Sequence, residues 1–348
     1  MDKIIKNFQN ISYGPAPEDS KEVNIWIDKL KKPNNIFING KFTKSSGSKK
    51  LDILNPSTNK KIGKLSVSSK KDVNNAVSAA KKAHVKWSKL SSFERSKYLY
   101  ALARLIQKNS RFLSVLETID NGKPIRETRD IDIPLVARHF YYHAGWAARN
   151  TSNKDQSIGV VGQIIPWNFP LLMLAWKIAP AIALGNTVVL KPAEYTSLTA
   201  LYFAELCQKA KIPSGVINII TGDGSTGEFI TSHKDIKKIA FTGSTEVGKK
   251  IIQTNTNPDK KMTMELGGKS PFIVFEDADL DSAVEGVVDA IWFNQGQVCC
   301  AGSRLLVQES IEKKFIQKLK KRMEKLRVGD PLDKSIDIGA IVAPVQLK

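Results

Sequence analysis

Between residues 159 and 253, short apolar runs rich in β-branched residues alternate with longer stretches whose apolar residues recur at helical spacing. Four strand-then-helix pairs follow one another there. They are 160–165 with 171–184, 187–190 with 197–209, 216–220 with 227–232, and 239–241 with 246–253. Such an alternation predicts parallel strands joined by crossover helices. We therefore predict an α/β fold built on a Rossmann-type parallel sheet, the kind of sheet that binds dinucleotides.

The residues before this region are organised differently. Residues 1–34 are polar and run into the Lys31-Lys32-Pro33-Asn34-Asn35 break, which is typical of an arm or linker. The pair Asn39-Gly40 predicts a hairpin. Apolar residues at helical spacing then predict helices near 70–87 and 92–119.

A second alternation begins after Met264 and predicts the start of another α/β unit. Its expected strands are 272–275 and 305–308, and its expected helices are 280–293 and the basic stretch 311–326. The chain therefore divides into four predicted parts. They are an arm at 1–34, a strand and helical region at 35–157 that packs on the next part, a Rossmann-type domain at 158–264, and the first part of a second α/β domain at 265–348.

Composition fits a soluble globular protein, because 348 residues with 42% hydrophobic content allow more than one packed domain. The first six residues lack the apolar segment of a secretory signal, so we predict a cytoplasmic protein. The apolar passage from Leu171 to Leu190 approaches the roughly 20 residues of a membrane span. It contains Lys177 and Pro180, however, and we interpret it as a buried helix, a turn and a strand.

The charge of +19 comes mostly from scattered lysines without interleaved aromatic residues. This pattern indicates solvated faces and predicts neither a specific nucleic acid nor a membrane as partner. The cysteines are Cys207, Cys299 and Cys300, which fits reduced thiols better than a disulfide framework. His139 and His143 could share a helix face, but no third ligand accompanies them, so no metal site is predicted.

Three segments offer groups that could carry chemistry. Phe293 to Arg304 places Cys299 and Cys300 in a glycine-flanked turn behind an apolar helix, as a nucleophilic thiol requires. Met264 to Pro271 supplies Glu265 beside two glycines, and Pro166 to Pro170 supplies the carboxamide of Asn168 between prolines. Together they suggest a nucleophile, a base and an oxyanion donor.

These segments, in this order, resemble the NAD(P)-dependent aldehyde dehydrogenase superfamily from about Ile36 to the end of the chain. The strings Tyr13 to Glu18 and His139 to Trp146 look most like its family-16 subgroup. The resemblance implies an aldehyde dehydrogenase-like fold, in which 158–264 is the NAD-binding domain and 265–348 begins the catalytic domain. Family members continue further, so we expect an incomplete enzyme that is inactive or very weak by itself, and a dimer or tetramer for the complete protein.

The resemblance also implies catalytic roles. Cys299 would attack the aldehyde, as judged from its position in Gly-Gln-Val-Cys, and Cys300 would be a packing residue. The residues alone do not separate these adjacent thiols. Asn168 would donate to the oxyanion together with the backbone N–H of Cys299. Glu265 would activate water, and its neighbours Leu266, Gly267 and Gly268 are expected to give it apolar surroundings and room to move.

A glycine-rich motif after a strand, Gly222 to Gly227, matches G-x-G-x-x-G, but the acid expected about 20 residues later is missing. In the resembled family, Lys191 and Glu194 would hold the adenosine ribose, and Gly243 to Gly248 would present a helix start to the pyrophosphate. Glu194 favours NAD because a carboxylate repels a ribose phosphate, whereas Lys191 leaves NADP possible. The resemblance also assigns cofactor contacts to Ile164, Ile165, Pro166, Trp167, Gly224, Gly227, Phe241, Gly243, Ser244, Val247 and Leu266.

The expected function is NAD(P)-dependent oxidation of an aldehyde to a carboxylic acid through a cysteine thiohemiacetal and thioester. Glu265 favours hydrolysis over transfer of the acyl group to coenzyme A. The alternative is a catalytically silent scaffold or regulatory subunit, against which Cys299 and Glu265 both argue. A basic nucleic-acid binder rests on charge alone. Aliphatic, aromatic and amino aldehydes all remain open as substrates.

Overall fold

The computed structural model describes residues 16–30, 36–149 and 157–347. Tyr13, Gly14 and Pro15 of the amino-terminal string and the break at 31–35 lie outside these ranges, so predictions made for them are not tested. The strands of the described ranges are β1 (Ile36–Ile38), β2 (Lys41–Thr43), β3 (Lys50–Asn55), β4 (Lys60–Ser66), β5 (Val160–Ile164), β6 (Thr187–Lys191), β7 (Ile217–Ile219), β8 (Ile236–Thr242), β9 (Lys261–Glu265), β10 (Pro271–Val274) and β11 (Arg304–Val307).

The helices are numbered in the same way along the chain. They are α1 (Lys21–Lys29), α2 (Lys70–Trp87), α3 (Ser92–Lys108), α4 (Ser110–Asn121), α5 (Ile125–Glu127), α6 (Ile133–Arg149), α7 (Pro170–Ala183), α8 (Leu198–Lys209), α9 (Gly224–Thr231), α10 (Thr245–Thr254), α11 (Leu280–Trp292) and α12 (Glu312–Met323). A single π-helical turn, Thr128–Asp132, joins α5 to α6.

The central sheet has the order β2-β1-β7-β6-β5-β8-β9. Strands β7, β6, β5, β8 and β9 run parallel, as the alternation of strands and helices predicted. The hairpin of β1 and β2 turns at Asn39 and Gly40, both at positive φ, and joins the β7 edge antiparallel. From β5 the chain winds outward through β6 and β7, and then returns to place β8 on the other side of β5. This reversal opens a crevice at the carboxyl ends of β5 and β8, where doubly wound sheets bind ligands.

Two features of the amino-terminal part differ in detail from the predictions. Residues 21–29, placed in a polar arm, form α1, and Val23, Trp26 and Ile27 are buried because they recur at helical spacing on one face. The expected helix at 92–119 is divided at Asn109. The side chain of Asn109 donates to the carbonyl of Leu105 and accepts from the hydroxyl of Tyr202, and such local bonding competes with helix continuation.

Helix α7 lies in the largest apolar core, with Leu171, Leu174 and Ile178 fully buried. It is followed by a turn at Gly185 and by β6, which confirms the interpretation of the apolar passage as helix, turn and strand. None of the helices in the described ranges is long and apolar enough to cross a membrane.

The parallel pair β10 and β11 packs with α11 and α12 around a separate apolar core that includes Val287 and Phe315. The predicted second alternation therefore forms, and it begins directly after β9, the edge strand of the central sheet. The four-part division of the chain stays a proposal that is consistent with this arrangement.

Candidate active site

A cleft of about 1230 Å³ is lined by residues from all three candidate segments, which are 166–170, 264–271 and 293–304. The cleft covers one face of β5, β8 and β9, from Val161, Lys238 and Lys261 to the carboxyl ends of the strands, and extends along α7. Asn168, Glu265 and Cys299 all face it. Its remaining wall is largely apolar, and includes Leu135, Phe169, Leu172, Met173, Trp176 and Phe293.

The cysteine loop, defined as Phe293 to Cys300, follows α11 and begins with a 3-10 turn. Asn294, Gln295 and Gly296 all have positive φ, at 49°, 57° and 76°. Non-glycine residues rarely adopt this left-handed conformation, so contacts with other segments of the chain must stabilise it. After the turn, Cys299 and Cys300 are both exposed to solvent. Exposure alone therefore does not decide between the two thiols.

Burial of part of the thiol, together with the neighbouring Cys300, raises the pKa of Cys299. Because the thiolate is the reactive form, Cys299 must lose its proton to a base before it attacks. The segment after Glu265 comes close to the backbone of Cys299. A Cβ added at Gly268 would lie 3.7 Å from the carbonyl oxygen of Cys299.

The carboxamide of Asn168 is attached to the cysteine loop. Its Nδ2 donates to the carbonyl oxygen of Gln297 at 2.9 Å. Asn294 completes the link, since its Nδ2 donates to the carbonyl oxygens of Asn168 at 2.8 Å and of Gln297 at 3.2 Å. An amide nitrogen carries two N–H groups, so Asn168 retains one for a ligand in the cleft.

Glu265 ends β9, and its side chain is exposed to the cleft. The expectation that it has apolar surroundings is therefore wrong. Gly267 and Gly268 contribute no side chain, and Leu266 packs instead on α10, where a Cβ at Gly248 would meet it at 2.5 Å. A cationic neighbour is present: burial lowers the pKa of Lys177 to about 8, although the attraction of Glu265 opposes this shift.

A buried charged cluster lies beneath the Asn168 segment and the cysteine loop. Lys123 and Asp132 are fully buried and form an ion pair of 2.6 Å. The Nζ atom of Lys123 also lies 3.9 Å from the ring centroid of Phe169, next to Asn168. Glu117 accepts from the backbone N–H of Leu171 at 3.3 Å, and Glu127 accepts from that of Asn294 at 3.1 Å.

Sequence reasoning missed this cluster. A usable signal was present in α4, where Glu117 and Asp120 interrupt the spacing of the apolar residues Leu113, Leu116 and Ile119. Charged residues within an apolar helix face indicate either exposure or a buried polar network. Both acids are fully buried, so the second explanation applies.

The cluster makes stability depend on pH. Burial raises the pKa of Glu127 from 4.5 to about 7, against the attraction of Lys123. A carboxyl group whose folded pKa is raised stabilises the fold below the unfolded pKa, and this contribution is lost as pH rises through the folded pKa. We expect Glu127 to lower the free energy of unfolding between pH 5 and 7 by up to about 1.4 kcal/mol per pH unit. Urea unfolding at several pH values measures this slope.

Glu127→Gln should make the decline shallower without abolishing it, because glutamine does not titrate whereas Glu117, whose pKa burial raises to about 8, still does. The exposed Glu309→Gln serves as the matched control and should retain the decline of the original chain. Identical pH dependence in the Glu127→Gln variant and in the original chain would contradict this assignment.

The predicted cofactor residues lie around the crevice between β5 and β8. Ile164 and Ile165 are buried at the end of β5, and the half-buried Pro166 and Trp167 continue into the cleft. Lys191 is buried at the end of β6, where its Nζ donates to the carbonyl of Pro192 at 3.0 Å and to Glu194 at 3.3 Å. Burial lowers the pKa of Lys191, while Glu194 opposes the shift.

The two glycine-rich motifs differ at their helix starts. In the first, Asp223 caps α9 by accepting from the backbone N–H of Ser225 and forms a 2.6 Å ion pair with Lys49. Burial raises the pKa of Asp223, but hydrogen bonds from Lys49 and Ser225 outweigh it and lower the pKa to about 2. A carboxylate therefore already occupies this helix start, which disfavours a phosphate there.

In the second motif, the neutral hydroxyl of Ser244 caps α10 by accepting from the N–H of Val247 at 3.3 Å. Ser244 and Val247 are exposed, and Gly243 packs on Phe241, whose ring would lie 2.6 Å from an added Cβ. This helix start can accept an anion. In the first motif, Gly224 has open space around it and Gly227 lies near Ile164 and Lys191, so these two glycines can still form a wall of the crevice.

Within the described ranges, no group of three His, Cys, Asp or Glu side chains gathers as metal ligands would. His139 and His143 lie one turn apart on α6, and the Nδ1 atom of His143 lies 2.8 Å from the carbonyl oxygen of His139.

The model of the aldehyde dehydrogenase family matches residues 42–348. The chain is 48% identical over 320 residues to "Aldehyde dehydrogenase family 2 member B4, mitochondrial" of Arabidopsis thaliana, an alignment that covers 87% of this chain and 60% of that relative. It is 44% identical over 327 residues to an aldehyde dehydrogenase of Agaricus bisporus, covering 89% and 65%. The chain thus spans roughly 60–65% of the length of these two relatives.

Among solved structures, the NAD+ complex of aldehyde dehydrogenase from Bacillus cereus superimposes with a TM-score of 0.89 at 38% identity, covering 96% of this chain and 70% of that one. The family-16 subgroup stays a prediction. Cellular location also stays a prediction, since the Arabidopsis relative is named as mitochondrial. The fold, the family match and the sequence identity together show that this chain belongs to the aldehyde dehydrogenase family.

Proposed function

We propose that this chain carries the cofactor crevice and the reacting groups of an NAD-dependent aldehyde dehydrogenase, which oxidises an aldehyde to a carboxylic acid. One observation carries the proposal: the 2.9 Å hydrogen bond from Asn168 to Gln297 attaches an oxyanion donor two residues before Cys299. Glu265, a candidate base, lines the same cleft. A thiol, an amide donor and a carboxylate that converge on one cleft are the groups that acyl chemistry through cysteine requires.

Cys299 acts as the nucleophile. After its proton passes to a base, the sulfur adds to the carbonyl carbon and the electron pair of the C=O bond moves to oxygen. The free N–H of Asn168 and the backbone N–H of Cys299 stabilise this oxyanion. Because the pKa of Cys299 is raised, the attack depends on a proton acceptor.

Bound NAD supplies a hydride acceptor, which allows the cysteine adduct to become a thioester. Glu265 then removes a proton from water as the water oxygen adds to the thioester carbon. The carbon–sulfur bond breaks, the sulfur leaves as thiolate, and the carboxylic acid is released. The glycines at 267 and 268 leave Glu265 room to reach this water.

The residues around the crevice fit NAD. Gly243 and Ser244 would hold the pyrophosphate at the start of α10, and Lys191 and Glu194 would hold the adenosine ribose. The switch point of the sheet and the neutral cap at the start of α10 support this assignment. Ile164, Ile165, Pro166, Trp167, Gly224, Gly227, Phe241, Val247 and Leu266 would form the walls of the crevice.

We expect NAD to bind at least about tenfold more tightly than NADP, a difference of about 1.4 kcal/mol. The reason is that Glu194 accepts from a ribose hydroxyl and repels a phosphate in its place. Titration of each cofactor against tryptophan fluorescence measures the preference. Glu194→Gln should reduce the preference, and the exposed Glu228→Gln on α9 should leave it unchanged. Tighter binding of NADP to the original chain would contradict the prediction.

The apolar wall favours apolar aldehydes. Phe169, Met173, Trp176 and Phe293 line the cleft near the cysteine loop, and an alkyl or aryl group would bury its surface against them. Aliphatic and aromatic aldehydes are therefore better candidates than amino aldehydes, whose ammonium group would lose hydration against this wall.

The test is a single-turnover reaction with hexanal and NAD. Trypsin releases the segment 270–304, so mass spectrometry can locate an acyl group on Cys299. A stoichiometric burst of NADH together with a hexanoyl adduct on Cys299 supports the proposal, and it would contradict the expectation that the chain is inactive by itself. Tight NAD binding with neither burst nor adduct would overturn it in favour of a silent scaffold.

A further inference from the structure

The turn at the start of the cysteine loop is unusual in this molecule. The described residues include five non-glycine residues at positive φ, and among them only Asn294 and Gln295 are adjacent. Both are L residues in a conformation that favours glycine. The turn lies four residues before Cys299, so its conformation sets the position of the thiol.

One carboxyl group from a distant part of the chain meets this turn. The Oε2 atom of Glu127 accepts from the backbone N–H of Asn294 at 3.1 Å, although the two residues are 167 positions apart. Glu127 is 7% exposed and Asn294 is fully buried, so water cannot replace this bond. The backbone of Glu127 is itself held in place, since its N–H donates to the carbonyl of Pro124 at 2.9 Å.

The same turn is connected to the oxyanion donor. The side chain of Asn294 donates to the carbonyl oxygens of Asn168 and Gln297, and Asn168 donates to Gln297. The rings of Phe169 and Phe293, each next to one of these asparagines, stack with centroids 6.0 Å apart. A shift of Asn294 would therefore move Asn168 and the cysteine loop relative to each other.

We infer that Glu127 is a positioning residue: its carboxyl group holds Asn294 in the left-handed turn that aligns Asn168 with Cys299. Glu127 would not touch the substrate. This inference rests on the proposed function, because it assumes that Asn168 and Cys299 act together on a carbonyl group. Without an acceptor for the N–H of Asn294, the turn would relax and the oxyanion donor would lose its alignment.

The test uses p-nitrophenyl acetate, an activated ester that acylates a thiol through an oxyanion and needs no hydride acceptor. Alkylation by iodoacetamide is the comparison, since it forms no oxyanion. Mass spectrometry of the segment 270–304 locates both modifications on Cys299. Because neither reaction requires NAD, the test remains informative if aldehyde oxidation fails.

We expect Glu127→Leu to slow acylation of Cys299 by about tenfold or more, with the KM for the ester little changed, because a misplaced oxyanion donor affects the transition state. Glu127→Gln keeps an acceptor oxygen and should acylate within about threefold of the original chain. Alkylation should change by less than about threefold in both variants. Leu99→Ala, a core substitution in α3, controls for lost stability and should leave both rates unchanged.

Several outcomes would overturn the inference. One is acylation of Glu127→Leu at the original rate, and another is a loss of alkylation in this variant as large as its loss of acylation. Acylation of Glu127→Gln or of Leu99→Ala that is as slow as that of Glu127→Leu would also overturn it. If the chain forms no NADH and no hexanoyl adduct while acylation responds to Glu127 as expected, the proposed function fails and the positioning role of Glu127 stands.

Discussion

Replacement of Cys299 by serine is expected to reduce the single-turnover rate of aldehyde oxidation by ~10³-fold or more, because a serine hydroxyl without a strong base is a far weaker nucleophile than a thiolate. Cys300→Ser should retain the rate within about threefold, since serine preserves its size and the reaction does not use its sulfur. Stopped-flow measurement of the NADH burst with hexanal gives both rates.

The adjacent pair makes Cys300→Ser the matched control for this prediction. Both thiols are exposed and share one turn, so the two substitutions disturb the fold to a similar extent. Loss of the burst in Cys300→Ser, with retention in Cys299→Ser, would reverse the assignment of the nucleophile. The raised pKa of Cys299 adds a second expectation. The burst rate should increase with pH as more of the thiol ionises.

Glu265→Gln is expected to slow hydrolysis of the thioester by about 10²–10⁴-fold, because glutamine cannot take a proton from water. The acyl group should then accumulate on Cys299 and be visible in the mass of the segment 270–304. Transient and steady-state NADH production, followed with hexanal, separates thioester formation from its hydrolysis.

Glu285→Gln, at an exposed acid on α11 that pairs with Arg322, is the control and should hydrolyse the thioester normally. Full turnover of Glu265→Gln with water as acceptor would remove the general-base role. If the burst is also lost in Glu265→Gln, Glu265 deprotonates Cys299 as well, since both proton transfers would then depend on the same carboxylate.

The regular elements were largely predictable because their signals are local. The paired runs from 160 to 253 became β5 to β8 and α7 to α10, and Asn39-Gly40 became the turn of a hairpin. Local chemistry also explains two differences from the predictions. Asn109 divides a predicted helix by bonding to Leu105, and three apolar residues at helical spacing form α1 within a segment expected to be an arm.

The candidate site was predictable in its residues but not in their surroundings. The order of the motifs placed Asn168, Glu265 and Cys299 in one set, and the structure brings them to one cleft. The exposure of Glu265 was not foreseen, because burial depends on how distant segments pack around a residue. Asp223 caps α9 and so places a carboxylate at that helix start, which the glycine pattern did not predict.

The sequence by itself determined the alternation of strands and helices, the family resemblance and the identity of the candidate reacting groups. These features depend on residues close together in the chain, where periodicity and turn chemistry act directly. Only the tertiary structure decided that Lys123 pairs with Asp132 in the interior, and that Glu127 meets Asn294 across 167 residues. Burial and hydrogen bonding between distant segments arise when the chain packs, and no local pattern specifies them.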